Sequence, residues 1–384
     1  MTSHIPSRTT FRHASILLAI ALLAACRGAD APSPASDPDA RAAIAAAQTT
    51  DAAWVGALDT RIDALDDAIP GRFGVYVRHY GAAPGTLDRG DDRAWYLSSA
   101  IKIPVAIAVL EQVDAGALSL DEMLTLAQTD FVDGSGDMLQ RKPGERFSIG
   151  TLLEKSLRDS DSTATDMLIR KLGEDRLNAR IGEWTGGGFG PVTTILQVRY
   201  DAYGPVHPGV ARLDNMAIVR LRNADAGEAR LQALARELGV ARTDLDADTL
   251  EGVFDAYYRS DRNTATLPAF ATLLDRLAAG ELLSPDSTRL MLDHMRGIST
   301  GDRRISAGLP PGTDFAQKTG TQLRRACNVG VVDPERARDG ATLVLACAED
   351  FDDIADAETA FQGLGRALGE TVLVSKAAET RSSR

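Results

Sequence analysis

The sequence predicts an α+β protein: an antiparallel sheet flanked by helices, with an all-helical lobe inserted between its strands. Three observations predict it. Segments of strand character fall near the two ends of the chain, at 72–95 and 314–348. The stretch between them carries apolar residues at helical spacing. Strands this far apart in sequence bury both their faces only by meeting in one sheet, which makes the sheet lobe discontinuous. The chain has 384 residues, 44% hydrophobic and 25% charged, enough for two lobes with a sizeable core.

The elements follow in order. Residues 1–25 hold Arg8 and Arg12, then an apolar run over 16–25. That is the pattern of a secretory signal, and the run is too short for a membrane span. It ends in Leu23-Ala24-Ala25-Cys26, which resembles the lipobox of bacterial lipoproteins; the resemblance implies cleavage before Cys26 and a lipid on it. A plain cleavage site beside a chance cysteine is the other reading. Arg27 after the cysteine resembles an outer-membrane sorting signal. The expected address is therefore the periplasmic side of a bacterial membrane, lipid-anchored. Residues 26–44, with Pro32, Pro34 and Pro38, read as a flexible tether.

A helix is expected over 45–67, where Trp54, Leu58, Ile62 and Leu65 recur at helical spacing. Strands follow at 72–80 and 86–95, around a turn at 81–85. Helical periodicity then takes over at 102–113, 148–158, 163–172, 212–223 and 267–278. Strands return at 314–332 and 341–348, separated by a polar turn, and a helix over 355–368 closes the chain. One lobe is thus 45–97 with 298–384, and the helical lobe is 98–297. Pairing about a turn near 337 sets Cys327 opposite Cys347; in an oxidising compartment they form a disulfide or remain buried thiols.

Composition excludes several chemistries. The net charge is −12, so a basic grip on nucleic acid is not expected. Cys26, Cys327 and Cys347 are the three cysteines, too few thiols for a four-ligand structural zinc site. There is no H-E-x-x-H, and the glycines at 186–190 do not fit G-x-G-x-x-G. No metal and no organic cofactor is expected, and a monomer is the default.

Three short elements carry the chemistry. Ser99-Ala100-Ile101-Lys102 opens an apolar helix. At i and i+3 the lysine amine reaches the serine oxygen. Burial lowers the amine's pKa and makes it a base, and the helix start offers N–H groups to an oxyanion. Alone, the pattern also fits a capping serine and a surface lysine. Ser160-Asp161-Ser162 precedes another helical run; its first serine can relay a proton and its third residue can bond a substrate amide, although an ordinary N-cap reads the same. Lys318-Thr319-Gly320-Thr321 lies on an expected strand. It offers a cation and a hydroxyl for a carboxylate, a glycine for close approach, and the Thr321 N–H for an oxyanion hole. With six lysines among forty-two basic residues, a chance K-T-G is improbable.

Together and in this order, the three resemble the signature of class A β-lactamases and penicillin-binding proteins. The flanks do as well: Ile103-Pro104, Thr163-Ala164-Thr165, and Thr300-Gly301-Asp302-Arg303-Arg304 through Gly308-Leu309-Pro310. The resemblance covers about residues 45–370 and implies a β-lactamase/transpeptidase-like fold. It implies Ser99 as acylated nucleophile, Lys102 as proton acceptor, Ser160 as shuttle to the leaving nitrogen, and Lys318 tuning Ser160 and the substrate carboxylate. Asp161, Ser162, Thr319, Gly320 and Thr321 would bind substrate. Arg304 is similar to the family's carboxylate-anchoring arginine, with Arg324 and Arg325 as other candidates.

Two departures stand out. Ser162 replaces the family's asparagine and lacks the two-ended amide. The family's deacylating glutamate, about thirty-six residues beyond the shuttle serine, falls at Leu196. Asp201 is the nearest carboxylate, as a substitute base or an ordinary loop residue. Residues 207–263 exceed the family's usual length there, with helical stretches at 230–238 and 249–258 suited to a lid. The expected function is a serine hydrolase opening β-lactam amides through an acyl-serine. The alternatives are a DD-peptidase or esterase on cell-wall peptide or ester substrates, a penicillin-binding sensor that stays acylated, and a cell-wall-binding protein with a dead site.

Overall fold

A computed structural model describes residues 52–90 and 93–373. The expected signal segment, the tether and Cys26 lie outside the described residues. The first described helix, α1 (Ala53–Asp66), buries Trp54, Leu58 and Ile62, one every fourth residue. That spacing makes a single apolar stripe.

Five antiparallel strands form the main sheet: β1 (Arg72–His79), β2 (Gly85–Asp88), β7 (Phe315–Gln322), β8 (Arg325–Val332) and β9 (Thr342–Glu349). Their order is β2-β1-β9-β8-β7, so strands from the two ends do meet at β1 and β9. Side chains alternate across the sheet at period two. On β9, Leu343, Leu345 and Cys347 join one apolar layer, while Val344, Ala346 and Ala348 join the other. The second layer is covered by α1 and by α13 (Ile354–Thr371).

Two strand expectations are corrected. The segment 314–332 is two strands, β7 and β8, joined by a tight turn at Leu323 and Arg324. Arg324 takes φ 56° there, and the turn has no glycine, proline or asparagine to mark it. The segment 86–95 also divides. β2 stays in the main sheet, while β3 (Ala94–Tyr96) pairs with β6 (Thr264–Thr266). Short β4 (Met123–Thr125) and β5 (Arg146–Ser148) form a third small pair.

The remaining helices lie between β3 and β7. They are α2 (Lys102–Asp114), α3 (Ile149–Arg158), α4 (Ser162–Leu172), α5 (Glu174–Thr185), α6 (Ile195–Tyr203), α7 (Asn215–Leu221), α8 (Glu228–Leu238), α9 (Leu250–Tyr258), α10 (Leu267–Ala278), α11 (Pro285–Arg296) and the single turn α12 (Ile305–Gly308). Side-chain caps fix several starts. Ser148, Asp161, Thr194, Asp214 and Thr266 each accept a backbone N–H from three residues on. The long segment after α6 has its own apolar cluster, in which Leu231, Leu234, Leu250 and Phe254 pack with Val198 of α6 and Tyr96 of β3. Cys327 and Cys347 stand opposite each other on β8 and β9 and are joined in a disulfide. Among the described residues, no helix is long and apolar enough to cross a membrane.

Candidate active site

Ser99 sits in a 3₁₀ turn, Ser98–Ile101, that runs directly into α2. Lys102 is the first residue of α2 and is fully buried. The turn is pressed against the edge strand β7. A Cβ on Gly320 would stand 2.2 Å from the Leu97 carbonyl oxygen and 3.0 Å from the Ser99 nitrogen. This revises the reason for the glycine: it admits the protein's own nucleophile turn rather than leaving room for substrate backbone.

Ser160 lies between α3 and α4 with φ 56°, a left-handed conformation that is costly for serine. Around it the chain is fixed: the Asp161 N–H donates to Lys155 O at 2.9 Å, and the Lys102 ammonium reaches the Ser160 carbonyl oxygen. The Ser160 hydroxyl therefore faces two amines. Lys102 Nζ is 3.2 Å from Ser160 Oγ, and Lys318 Nζ is 3.0 Å from it.

Both lysines are fully buried. Burial lowers Lys102 to about 7, against the raising effect of Asp161 and Asp166. Burial also takes Lys318 well below its ordinary value, and the charges of Lys102 and Arg304 add to that. Desolvation disfavours an ammonium that two nearby cations also repel. The cluster thus holds an amine able to accept a proton near neutral pH beside a hydroxyl able to pass one on.

A cleft opens over Ser99. It is lined by Tyr96, Ser98, Ser99, Ile101, Gly134, Ser135, Ser162, Ile195, Val198, Arg199, Asn263, Thr321 and Gln322. The structure thus brings Ser99, Ser162 and Thr321 to one opening, with Lys102, Ser160 and Lys318 beneath. Arg304 is behind β7. Its Nη1 donates to the carbonyls of Gly320 and Cys327, at 3.0 and 2.8 Å, and its Nη2 to Thr321 Oγ1 at 2.5 Å. Burial lowers Arg304 to about 10. Thr319 Oγ1 pairs with Thr300 Oγ1 at 2.7 Å.

Other candidates lie elsewhere. Both oxygens of Asp161 are taken by backbone N–H groups, Ala164 at 2.8 Å and Met138 at 2.9 Å. Asp161 therefore shapes the turns on either side of Ser160 and does not line the cleft. Asp201 is not in the cleft lining either; it accepts from Gln197 at 2.7 Å and pairs with Arg262 at 3.4 Å. Arg324 and Arg325 face away, toward Asp350 and its neighbours.

Sequence reasoning gave no role to Asp166 or Arg199. Asp166 is fully buried on α4, and burial raises it to about 6. It accepts from Ile195 N at 2.7 Å and Leu196 N at 2.9 Å, which fixes the start of α6. Leu196 turns toward the cluster behind α6, whereas Ile195 lines the cleft. Arg199 is one turn further along α6. A charged residue inside an apolar helical stretch was the one signal for it.

Comparison with known proteins agrees with this arrangement. The profile of the β-lactamase enzyme family matches residues 57–194 and 211–372. The interruption spans α6. A β-lactamase of Mycobacterium tuberculosis (strain ATCC 25177 / H37Ra) is 28% identical over 323 residues, 84% of this chain and 85% of its own length. Among solved structures, a β-lactamase from Sphaerobacter thermophilus DSM 20745 superposes with a TM-score of 0.60 at 22% identity, covering 83% of this chain and 98% of its own. A leucine-to-glutamate mutant of PBP-A, solved as its acyl-enzyme with penicillin G, superposes with a TM-score of 0.59 at 21% identity, covering 82% and 95%.

Proposed function

This chain belongs to the β-lactamase enzyme family, and from that premise we propose that it opens β-lactam amides by acylating Ser99. The observation that carries the proposal is the Ser160 hydroxyl held 3.2 and 3.0 Å from two buried lysine amines, beneath the cleft that exposes Ser99. Neutral Lys102 takes the Ser99 proton as Oγ attacks the lactam carbonyl. Backbone N–H groups of Ser99 and Thr321 receive the oxyanion. Ser160 passes a proton to the leaving nitrogen. The substrate carboxylate sits toward Lys318 and the Arg304–Thr321 pair, and Ser162 bonds the acyl-side amide. An arriving carboxylate also favours the protonated form of Lys318.

One observation favours a second reading, in which acylation outruns release. No carboxylate is among the side chains lining the cleft, so no general base stands ready to activate water against the ester. General-base catalysis typically supplies about 10²–10⁴-fold, and its loss lengthens the life of the acyl-enzyme, as in a penicillin-binding protein. The experiment is nitrocefin turnover by the purified protein and by Ser99→Ala, with intact-protein mass spectrometry of each mixture. Steady turnover lost in Ser99→Ala supports the hydrolase. A stoichiometric adduct without turnover supports the second reading. Neither adduct nor turnover refutes both. We further propose that the protein acts on the periplasmic side of a bacterial membrane, anchored through Cys26.

A further inference from the structure

One wall of the cleft is strand β7, with Thr321 and the arginine behind it; the other is α6 and the loop at 133–135. Arg199, on α6, is 8% exposed. Its Nε donates to Asp133 Oδ1 at 2.6 Å. Its Nη1 is buried and has no hydrogen-bond partner. Ser98 lines the same cleft, and its Oγ is likewise buried and unpartnered. Leaving a buried charged donor unmet costs more than leaving a neutral one. Two residues of one cleft lining that each hold an unmet donor point to an acceptor with two oxygens.

A carboxylate is that acceptor. It takes charge-assisted bonds from a guanidinium edge and a further bond from a hydroxyl. Asp133 occupies only the Nε side, so the guanidinium can bridge its own aspartate and an incoming anion. Burial works against the Arg199 charge, but the Asp133 carboxylate beside it keeps the side chain protonated. Ser162 lies on this wall as well, which puts Arg199 on the acyl side of Ser99, away from the wall assigned to the leaving-group carboxylate.

We propose that Arg199 and Ser98 form a second anion subsite, and that the preferred substrates are dianionic, with one carboxylate on the leaving-group side and one on the acyl arm. This rests on the acyl-serine reading above. Asp133 already offsets part of the Arg199 charge, so the gain is modest, about 5- to 10-fold in the acylation rate constant.

The test is a pair of penicillins differing by one group, benzylpenicillin and α-carboxybenzylpenicillin. Adduct formation on Ser99 is followed by mass spectrometry. A parallel pair, N-acetyl- and N-succinyl-D-alanyl-D-lactate, tells whether the acyl arm belongs to a lactam or to a cell-wall-type peptide. The wild-type protein should acylate faster with the carboxylated member of at least one pair, with the preference shrinking at about 0.5 M salt. Arg199→Gln should bring the ratio to about one, and Arg199→Lys should restore part of it. A wild-type ratio at or below one in both pairs overturns the proposal without any variant. So does an Arg199→Gln protein that slows both members equally. Neither adduct nor Ser99-dependent turnover from any compound overturns the acyl-serine reading and this proposal with it; acylation at equal rates within both pairs overturns this proposal alone.

Discussion

Replacing Gly320 with alanine tests how the nucleophile is held. The new Cβ would lie 2.2 Å from the Leu97 carbonyl oxygen, and 3.0 Å from both the Ser98 Cβ and the Ser99 nitrogen. Contacts of this kind do not fall below 3.0 Å, so β7 and the turn must part by about 0.8 Å at least. Neither side yields freely. β7 is paired to β8 from Phe315 to Gln322, and the Leu97 N–H is tied to Asn263 O at 2.9 Å. The parting separates Ser99 from Thr321, the two proposed oxyanion donors. A misplacement of about 1 Å at a reacting group costs about 10²-fold in rate, and overpacking costs about 1–3 kcal/mol of stability. Second-order acylation by benzylpenicillin, read by intact mass, and a thermal melt measure the two effects. If Gly320→Ala acylates within about 3-fold of wild type and melts at the same temperature, the close-approach argument is wrong.

Four further outcomes are expected. Acylation should rise with pH and level off above about 7, because burial lowers Lys102 to about 7 and only the neutral amine accepts the Ser99 proton; a flat single-turnover profile from about pH 5 to 9 contradicts this assignment. The same lowered pKa means that the unfolded chain binds more protons at this site between about 7 and 10.5. The contribution of Lys102 therefore makes stability increase with pH across that window, an increase that Lys102→Met should remove from denaturation midpoints. Ile195→Glu places a carboxylate in the cleft lining and should speed loss of the Ser99 adduct by about tenfold or more, whereas Leu196→Glu, on the far side of the turn, should not. Replacing Cys327 and Cys347 together with alanine removes a link closing 20 residues, worth about 3 kcal/mol in the chain-entropy account; an unchanged urea midpoint rules that contribution out.

Much of the arrangement was legible in residues 99–102, 160–162 and 318–321. Each motif is a local pattern, a serine and lysine one turn apart, a serine before a capped helix, a lysine on a strand, but the cluster that joins Ser160 to Lys102 and Lys318 spans 58 and 158 positions and was reached through the family resemblance. The Cys327–Cys347 register was also legible, because cross-strand pairing follows a fixed sum of positions about a turn. The β7–β8 connection was hidden, since a left-handed arginine leaves no compositional trace. Asp161 was misread because a carboxylate that caps a helix and one that binds a ligand look alike in sequence; only the bonds to Ala164 and Met138 separate them. Asp166 left no signal and Arg199 only a charge in a helical stretch, for a different reason. Their partners, the α6 amides and Asp133, come from segments 29 to 66 positions away.

Those two residues also bear on why no deacylating acid stands over Ser99. The acids near the site are bonded or ion-paired, although Asp201 Oδ2 has an ion pair and no hydrogen bond. Asp161 is held by α4 and the 136–138 turn, Asp133 by Arg199, and Asp201 by Gln197 and Arg262. Burial raises both Asp161 and Asp166, Asp166 to about 6, and Asp166 lies in the field of Lys102. Yet its oxygens accept from Ile195 and Leu196, so its lone pairs point at backbone rather than at water. The result is a helix tied to α4 by Asp166 and to the 133 loop by Arg199. It carries an apolar residue, Ile195, and a cation into the cleft where hydrolysis of an ester calls for a base. On the readings proposed above, a segment built in this way would grip the acyl arm of a substrate and keep activated water from the carbonyl. Substrate selectivity and slow release would then both follow from the residues that α6 carries.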